Sequence, residues 1–186
     1  MREPGPQAKD GNTLPEDGGF WRFSVALYGR PGAAEACLAL QDRHGADVTL
    51  LLAGFWRAHK GFAGWAAGEL ARAAAALAPV TAVQQPLRAA RRALKALAAD
   101  EPAAVPLYDG LKELELRLEQ IAQVWALAGN RVSAAPRRAE APSPEQEAAA
   151  AARHLGAYIT HLALDAEAEQ DALQLGAALL DAAYAE

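Results

Sequence analysis

The chain is predicted to be all-α, a helical bundle containing an antiparallel helical hairpin. Three observations carry this. Val80, Val83, Leu87, Ala90, Leu94 and Leu97 recur at spacings 3-4-3-4-3, and Leu107, Leu111, Leu114, Leu118, Ile121 and Trp125 at 4-3-4-3-4, each a seven-residue apolar seam. Capping and stop residues stand at the ends of apolar-periodic segments. No alternating β pattern of useful length and no repeat of 20–50 residues is present.

Met1 to Gly19 carries prolines, glycines and acids with almost nothing to bury, and reads as a disordered tail over 1–19. Phe20 to Tyr28 fits a short helix. Pro31 suits the first position of a second, where its missing N–H would be unpaired anyway, and that helix should run to His44 with Gly45 as a left-handed stop. Asp47 can cap a third helix, Val48 to about His59. After a loop at Gly61 and Gly64, a fourth is expected over about 66–78, before the hairpin of about 80–97 and 107–127. The hairpin connection, with Pro102 and Pro106, is short enough to make its arms neighbours. Pro86 should kink the first arm without breaking it. Leu116, off the seam, implies a second covered face.

The helical domain is therefore expected over 20–128. A linker follows over 129–142, then C-terminal helices over 143–186 that dock on the bundle. Ser143-Pro144-Glu145-Gln146 is a capping box, with Leu155, Tyr158, Ile159 and Leu162 on one face of its helix. Asp165 can cap the last helix, through Leu173, Leu179 and Leu180.

Composition narrows the function. The 186 residues include 18 Lys and Arg against 23 Asp and Glu, a net charge of −5. That balance disfavours a non-specific nucleic-acid binder or a polybasic membrane anchor. One cysteine, Cys37, leaves no internal disulfide framework and too few thiols for a zinc finger or an iron–sulfur cluster. The strongest apolar stretch, Val48 to Trp56, is about half of the ~20 residues a transmembrane helix needs. With no targeting segment visible, the expectation is a cytoplasmic protein without membrane insertion.

Chemistry-bearing residues are few. Asp42, His44 and Asp47 share one turn and could hold a cation. The simpler reading has Asp47 as a cap, Asp42 paired with an arginine or amide, and His44 solvated. Arg88, Arg91, Arg92 and Lys95 form the densest basic group and could grip a phosphate or carboxylate. Pairing with Glu113, Glu115 and Glu119 across the hairpin is the structural alternative, Arg91 and Glu115 both falling at an e position. His154 and His161, seven residues apart, lie too far along a helix to share a metal. Cys37, among Ala36, Leu38 and Leu40, has the setting of a buried, inert thiol. No nucleophile elbow or phosphate loop occurs. The would-be recognition helix after His44-Gly45-Ala46 is too apolar for a DNA groove. No catalytic residue, metal or cofactor is expected.

Phe20-Trp21-Arg22-Phe23-Ser24, Tyr28, Pro31-Gly32, Ala36-Cys37-Leu38, Leu40-Gln41-Asp42, Gly45, Asp47-Val48 and Leu50-Leu51-Leu52 up to Trp56 resemble a bacterial family of small proteins known as a conserved domain of unknown function. Gln85-Pro86-Leu87-Arg88, Arg91-Arg92, Leu94-Lys95 and Lys112-Glu113-Leu114-Glu115 are similar to its second block. The likeness spans about Phe20 to Trp125, and Thr49 stands where the family pattern has Asn. It implies no activity. It does place Trp21, Tyr28, Asp42, Asp47, Trp56, Arg88, Arg91 and Arg92 at motif positions.

Two functions remain. The first is a non-enzymatic interaction or regulatory protein whose apolar seams take a protein partner. The alternative is a binder or enzyme for a small anionic molecule, with pocket aromatics Trp21, Tyr28 and Trp56 and one of Arg88, Arg91 and Arg92 on the anion.

Overall fold

The computed structural model describes residues 19–66, 68–128 and 140–184. The tail apart from Gly19, which stands at the N-cap of the first helix, and most of the linker expected from the sequence lie outside them. The described residues form seven α-helices and no strand: α1 (Phe20–Tyr28), α2 (Ala33–His44), α3 (Val48–His59), α4 (Glu69–Asp100), α5 (Val105–Ala128), α6 (Pro144–His161) and α7 (Ala166–Tyr184). The protein is all-α.

Helix α3 is the axis of the core. Every residue from Leu50 to Ala58 is buried, as its nearly unbroken apolar run requires. Its start is fixed by Asp47, whose Oδ1 accepts from the amides of Thr49 at 2.9 Å and Leu50 at 3.2 Å. α1 lays Phe20, Ser24 and Leu27, spaced four and three, against this core. α2 contributes Ala33, Ala36, Cys37 and Leu40 and stops at Gly45 in the left-handed region (φ 67). Its start falls two residues later than Pro31 suggests. Gly32 takes the N-cap at φ 83, a conformation natural to glycine, and Pro31 stays in the turn before it.

The expected fourth helix and the first hairpin arm are one helix. α4 runs unbroken for 32 residues through Pro79 and Pro86, about 48 Å at 1.5 Å per residue. The two prolines deprive the carbonyls of Ala75 and Ala82 of their helical donors. Both positions, like the prolines, are exposed, so water can take the freed acceptors and the helix continues. A single 3-10 turn, Pro102–Ala104, returns the chain into α5, which packs along α4. The buried residues of α4 end at Gln84, so beyond it the hairpin projects from the bundle with chiefly α5 against it.

α6 packs on α3 and α7 on α2. The Ser143 capping box forms as read, Ser143 Oγ accepting from the Gln146 amide at 3.3 Å and Gln146 Oε1 from the Ser143 amide at 3.2 Å. Two glycines set the approach of these helices. A Cβ on Gly54 would lie 3.0 Å from His154 Cβ, and one on Gly176 would lie 2.7 Å from a methyl of Leu155. α6 and α7 therefore share one core with α1–α3.

Polar contacts tie the ends together. His44 is not solvated: its side chain is buried, with Nε2 2.6 Å from Asp171 of α7, and Arg43 bonds to the same carboxylate at 2.5 Å. Arg57, buried in α3, donates to Glu69 of α4 at 2.8 Å, with its guanidinium over the rings of Phe62 and Trp65. His154 is buried edge-on against Trp65, with Nε2 3.3 Å from the Phe62 carbonyl, whereas His161 is exposed.

Candidate ligand-binding site

Where the hairpin leaves the bundle, five helices enclose a cavity of about 590 Å³. α1 contributes Trp21, Ser24, Val25 and Tyr28; α2 contributes Leu38, Gln41 and Asp42; α3 contributes Val48, Thr49 and Leu52. The opposite wall is Arg88, Arg91, Arg92 and Lys95 of α4, with Glu115, Leu116, Glu119 and Gln123 of α5. The helical spacing of the basic residues puts all four on the side of α4 that faces α1–α3.

The four cations are used differently. Glu115 takes two of them: Arg88 donates Nε to its Oε1 at 3.1 Å, and Arg91 donates Nε to its Oε2. Arg88 also donates to Gln41 Oε1 at 3.1 Å and lies 3.6 Å from Glu119. Arg92 and Lys95 make no ion pair among the described residues, and both are exposed at the rim. Burial pushes the Glu119 carboxyl above its ordinary range; Arg88 opposes this shift and Glu115 adds to it.

The aromatic wall is Trp21 and Tyr28. The Tyr28 hydroxyl bonds to the Cys37 sulfur, and burial raises its pKa above the ordinary phenol value, with Cys37 and Glu119 adding to the shift. Burial likewise pushes the Cys37 thiol up to about 12. Trp56 lies elsewhere. It is buried in the core, stacked on Phe20 with centroids 5.8 Å apart, beneath Lys60.

A second cavity, about 460 Å³ and more polar, adjoins the first. Gln41, Asp42, Arg88 and Arg92 line both. Asp47, Thr81 and Gln84 belong to the second alone, and there Asp47 is engaged structurally, with Thr81 Oγ1 donating to its Oδ2 at 3.1 Å. Asp42 stands exposed between the cavities and takes neither an arginine nor an amide among the described residues. Asp42, His44 and Asp47 do not converge. No group of three His, Cys, Asp or Glu side chains among the described residues could hold a metal.

Two site residues escaped the sequence reading, and both are buried glutamines. Gln123, on the wall of the larger cavity, donates Nε2 to Ser24 Oγ at 3.0 Å, and its Oε1 is buried without a hydrogen-bond partner. Gln84, on the wall of the smaller one, is 3% exposed, and its Nε2 is buried without a hydrogen-bond partner. A signal existed for Gln84, which falls four residues after Val80 on the apolar side of α4; none marked Gln123.

Residues 19–125 match the family described as Protein of unknown function (DUF2390). The chain belongs to that family. The match covers α1 to most of α5, hence every helix that lines the two cavities, and it coincides with the span of the likeness read from the sequence. No curated protein and no solved structure matches the chain. No helix among the described residues is long and apolar enough to cross a membrane.

Proposed function

We propose that this member of the DUF2390 family binds a small molecule made of an apolar or aromatic body and an anionic group. One observation carries the reading: the larger cavity pairs an aromatic and aliphatic wall with a rim where Arg92 and Lys95 have no carboxylate partner. Its volume lies within the ordinary range for ligand pockets.

The body of the ligand lies between Trp21, Leu52 and Leu116, and its anion meets Arg92 and Lys95. Arg88 and Arg91, held by Glu115, stiffen the wall. Thermal melts with 1-naphthoate and with neutral 1-naphthalenemethanol test this. The carboxylate should raise the midpoint by mass action, and Arg92→Ala with Lys95→Ala should lower its affinity about 10- to 150-fold, the value of a charge-assisted hydrogen bond. If no aromatic carboxylate, sulfonate or phosphate shifts the melt, the reading falls.

A protein partner is the second reading, favoured by the projecting hairpin, where Leu97, Leu107 and Leu114 are each about half exposed. Leu107→Glu with Leu114→Glu should then abolish stoichiometric co-purification of a partner while leaving naphthoate binding intact.

A further inference from the structure

The hairpin uses only half of its seams. Leu87 and Leu94 of α4 and Leu111 and Leu118 of α5 are half-buried between the arms. The other half, Val83, Ala90 and Leu97 with Leu107, Leu114 and Ile121, also repeats every seven residues. Helical spacing turns this second set away from Arg88, Arg92, Lys95 and Glu119, onto the side of the hairpin opposite the larger cavity and α1–α3. There Val83, Leu97, Leu107 and Leu114 are each more than half exposed. Seams with both halves apolar belong to a four-helix bundle, where every helix meets two neighbours. The hairpin supplies two of the four.

We infer that a second copy of this chain covers that face, two hairpins closing a four-helix bundle about a two-fold axis. The face fits itself. Glu115 binds both Arg88 and Arg91, which sets Ala90 level with Leu114 and, seven residues to either side, Val83 with Ile121 and Leu97 with Leu107. An axis parallel to the hairpin lays α5 of one copy over α4 of the other. Leu114 then meets Ala90 within a patch of small exposed residues, Pro86, Ala89 and Ala93, the large-against-small packing by which bundle layers interdigitate. Charge does not oppose it. The basic residues of α4 point to the cavity side, and Glu113 and Arg117, which border the face on α5, neutralise each other at 2.8 Å. The size suffices: about 27 Å from Leu107 to Trp125 and about two helix widths across, so that pairing removes on the order of 1,000 Å² from water, the least a specific interface needs. The chain has little else to offer the face, since 1–18 and 129–139 hold only Met1, Leu14 and Val132 as large apolar side chains. The inference rests on the hairpin being a docking surface, as in the second reading above, and is independent of the ligand, because none of the six residues lines either cavity.

Sedimentation equilibrium of the full chain at micromolar concentration should give twice the 19.5 kDa of one copy. Ala90→Glu alters a residue already exposed in the single chain, so the fold is not at stake. It should raise the dissociation constant about 100-fold or more, because each dimer would bury the new carboxylate twice. Leu107→Glu with Leu114→Glu should do the same, and circular dichroism should show the helix content of the parent in both variants. A parent that sediments as a single copy overturns the inference. So does a doubled mass that both variants retain, since the copies then meet elsewhere. Co-purification of a different protein with a single-copy parent would leave the second reading standing while this inference falls, and the naphthoate melts decide the ligand reading separately.

Discussion

The hydroxyl of Tyr158 accepts from the backbone amide of Asp47 at 2.6 Å and donates to the carbonyl of the same residue at 3.2 Å. One side chain of α6 thus satisfies both main-chain groups of the residue that caps α3, while Thr81 of α4 holds its carboxylate. Three helices meet on one residue of the α2–α3 turn, which forms a wall of the smaller cavity. Tyr158→Phe keeps the ring and leaves the Asp47 amide without a partner, while the Asp47 carbonyl keeps the Leu51 amide at 3.0 Å. It should cost about 1–3 kcal/mol, read as a lower urea midpoint at unchanged slope. A variant as stable as the parent would mean that water replaces the hydroxyl and that α6 does not secure the turn.

Glu115 bonds to Arg88 and Arg91 together, and that sharing sets an order of effects. Arg91→Ala removes one partly exposed partner and should cost ~0–1 kcal/mol. Glu115→Gln leaves two guanidinium groups with a weaker acceptor and should cost more, about 1–3 kcal/mol. Exchanging the charges, Arg91→Glu with Glu115→Arg, should recover little, because the new arginine faces Arg88. Full recovery in urea melts of the double exchange would show that Arg88 is indifferent to Glu115.

What the sequence made legible was local. Asp47, Gly45 and Ser143 announce helix ends because a cap needs only its own next three residues; the hairpin seams announced helices but not the buried face, since Val83, Leu97, Leu107, Leu114 and Trp125 stay exposed. The continuity of α4 depended instead on which way Pro79 and Pro86 point, and a helix tolerates proline only where the freed carbonyl finds water. His44 looked solvated because its partner, Asp171, is 127 residues away. The basic wall and Trp21 and Tyr28 were readable as candidates. That Trp56 turns into the core followed from α3 being buried all round, which its composition alone could not orient. Gln84 was visible as a polar residue on the apolar face of Val80, whereas Gln123 was not marked in this way, because Leu116, expected on a covered face, is 46% exposed.

Cys37 tests the closure of the core beneath the aromatic wall. It is fully buried and bonded to Tyr28, and burial holds its thiol near 12. At pH 8 on the order of one molecule in ten thousand carries the reactive thiolate. Iodoacetamide should therefore leave the native protein unmodified over hours and label it stoichiometrically in urea. Tyr28→Phe removes the hydrogen bond without opening the core and should not make the thiol reactive. Rapid native labelling would show that α1 and α2 separate readily and that the cavity wall they form is transient.

His154 supplies the pH dependence. Its ring is buried against Trp65 and Gly54, beside Arg57 and Arg153, with Glu69 also near. Burial foremost, with the two arginines adding, lowers its pKa to about 4 from an ordinary 6.5, against the opposing pull of the Phe62 carbonyl and Glu69. The unfolded chain therefore binds the proton first as pH falls. Stability attributable to His154 is whole above pH 6.5, declines as pH drops towards 4, and is lost below it. The full shift amounts to about 3 kcal/mol. Other groups titrate in the same window, so the comparison is with His154→Gln, which can still donate to the Phe62 carbonyl but takes up no proton. Urea midpoints at pH 7, 5.5 and 4.5 should fall more steeply for the parent than for the variant. Parallel profiles would mean that the ring is protonated in the folded protein, with the α3–α6 contact open enough to hydrate it.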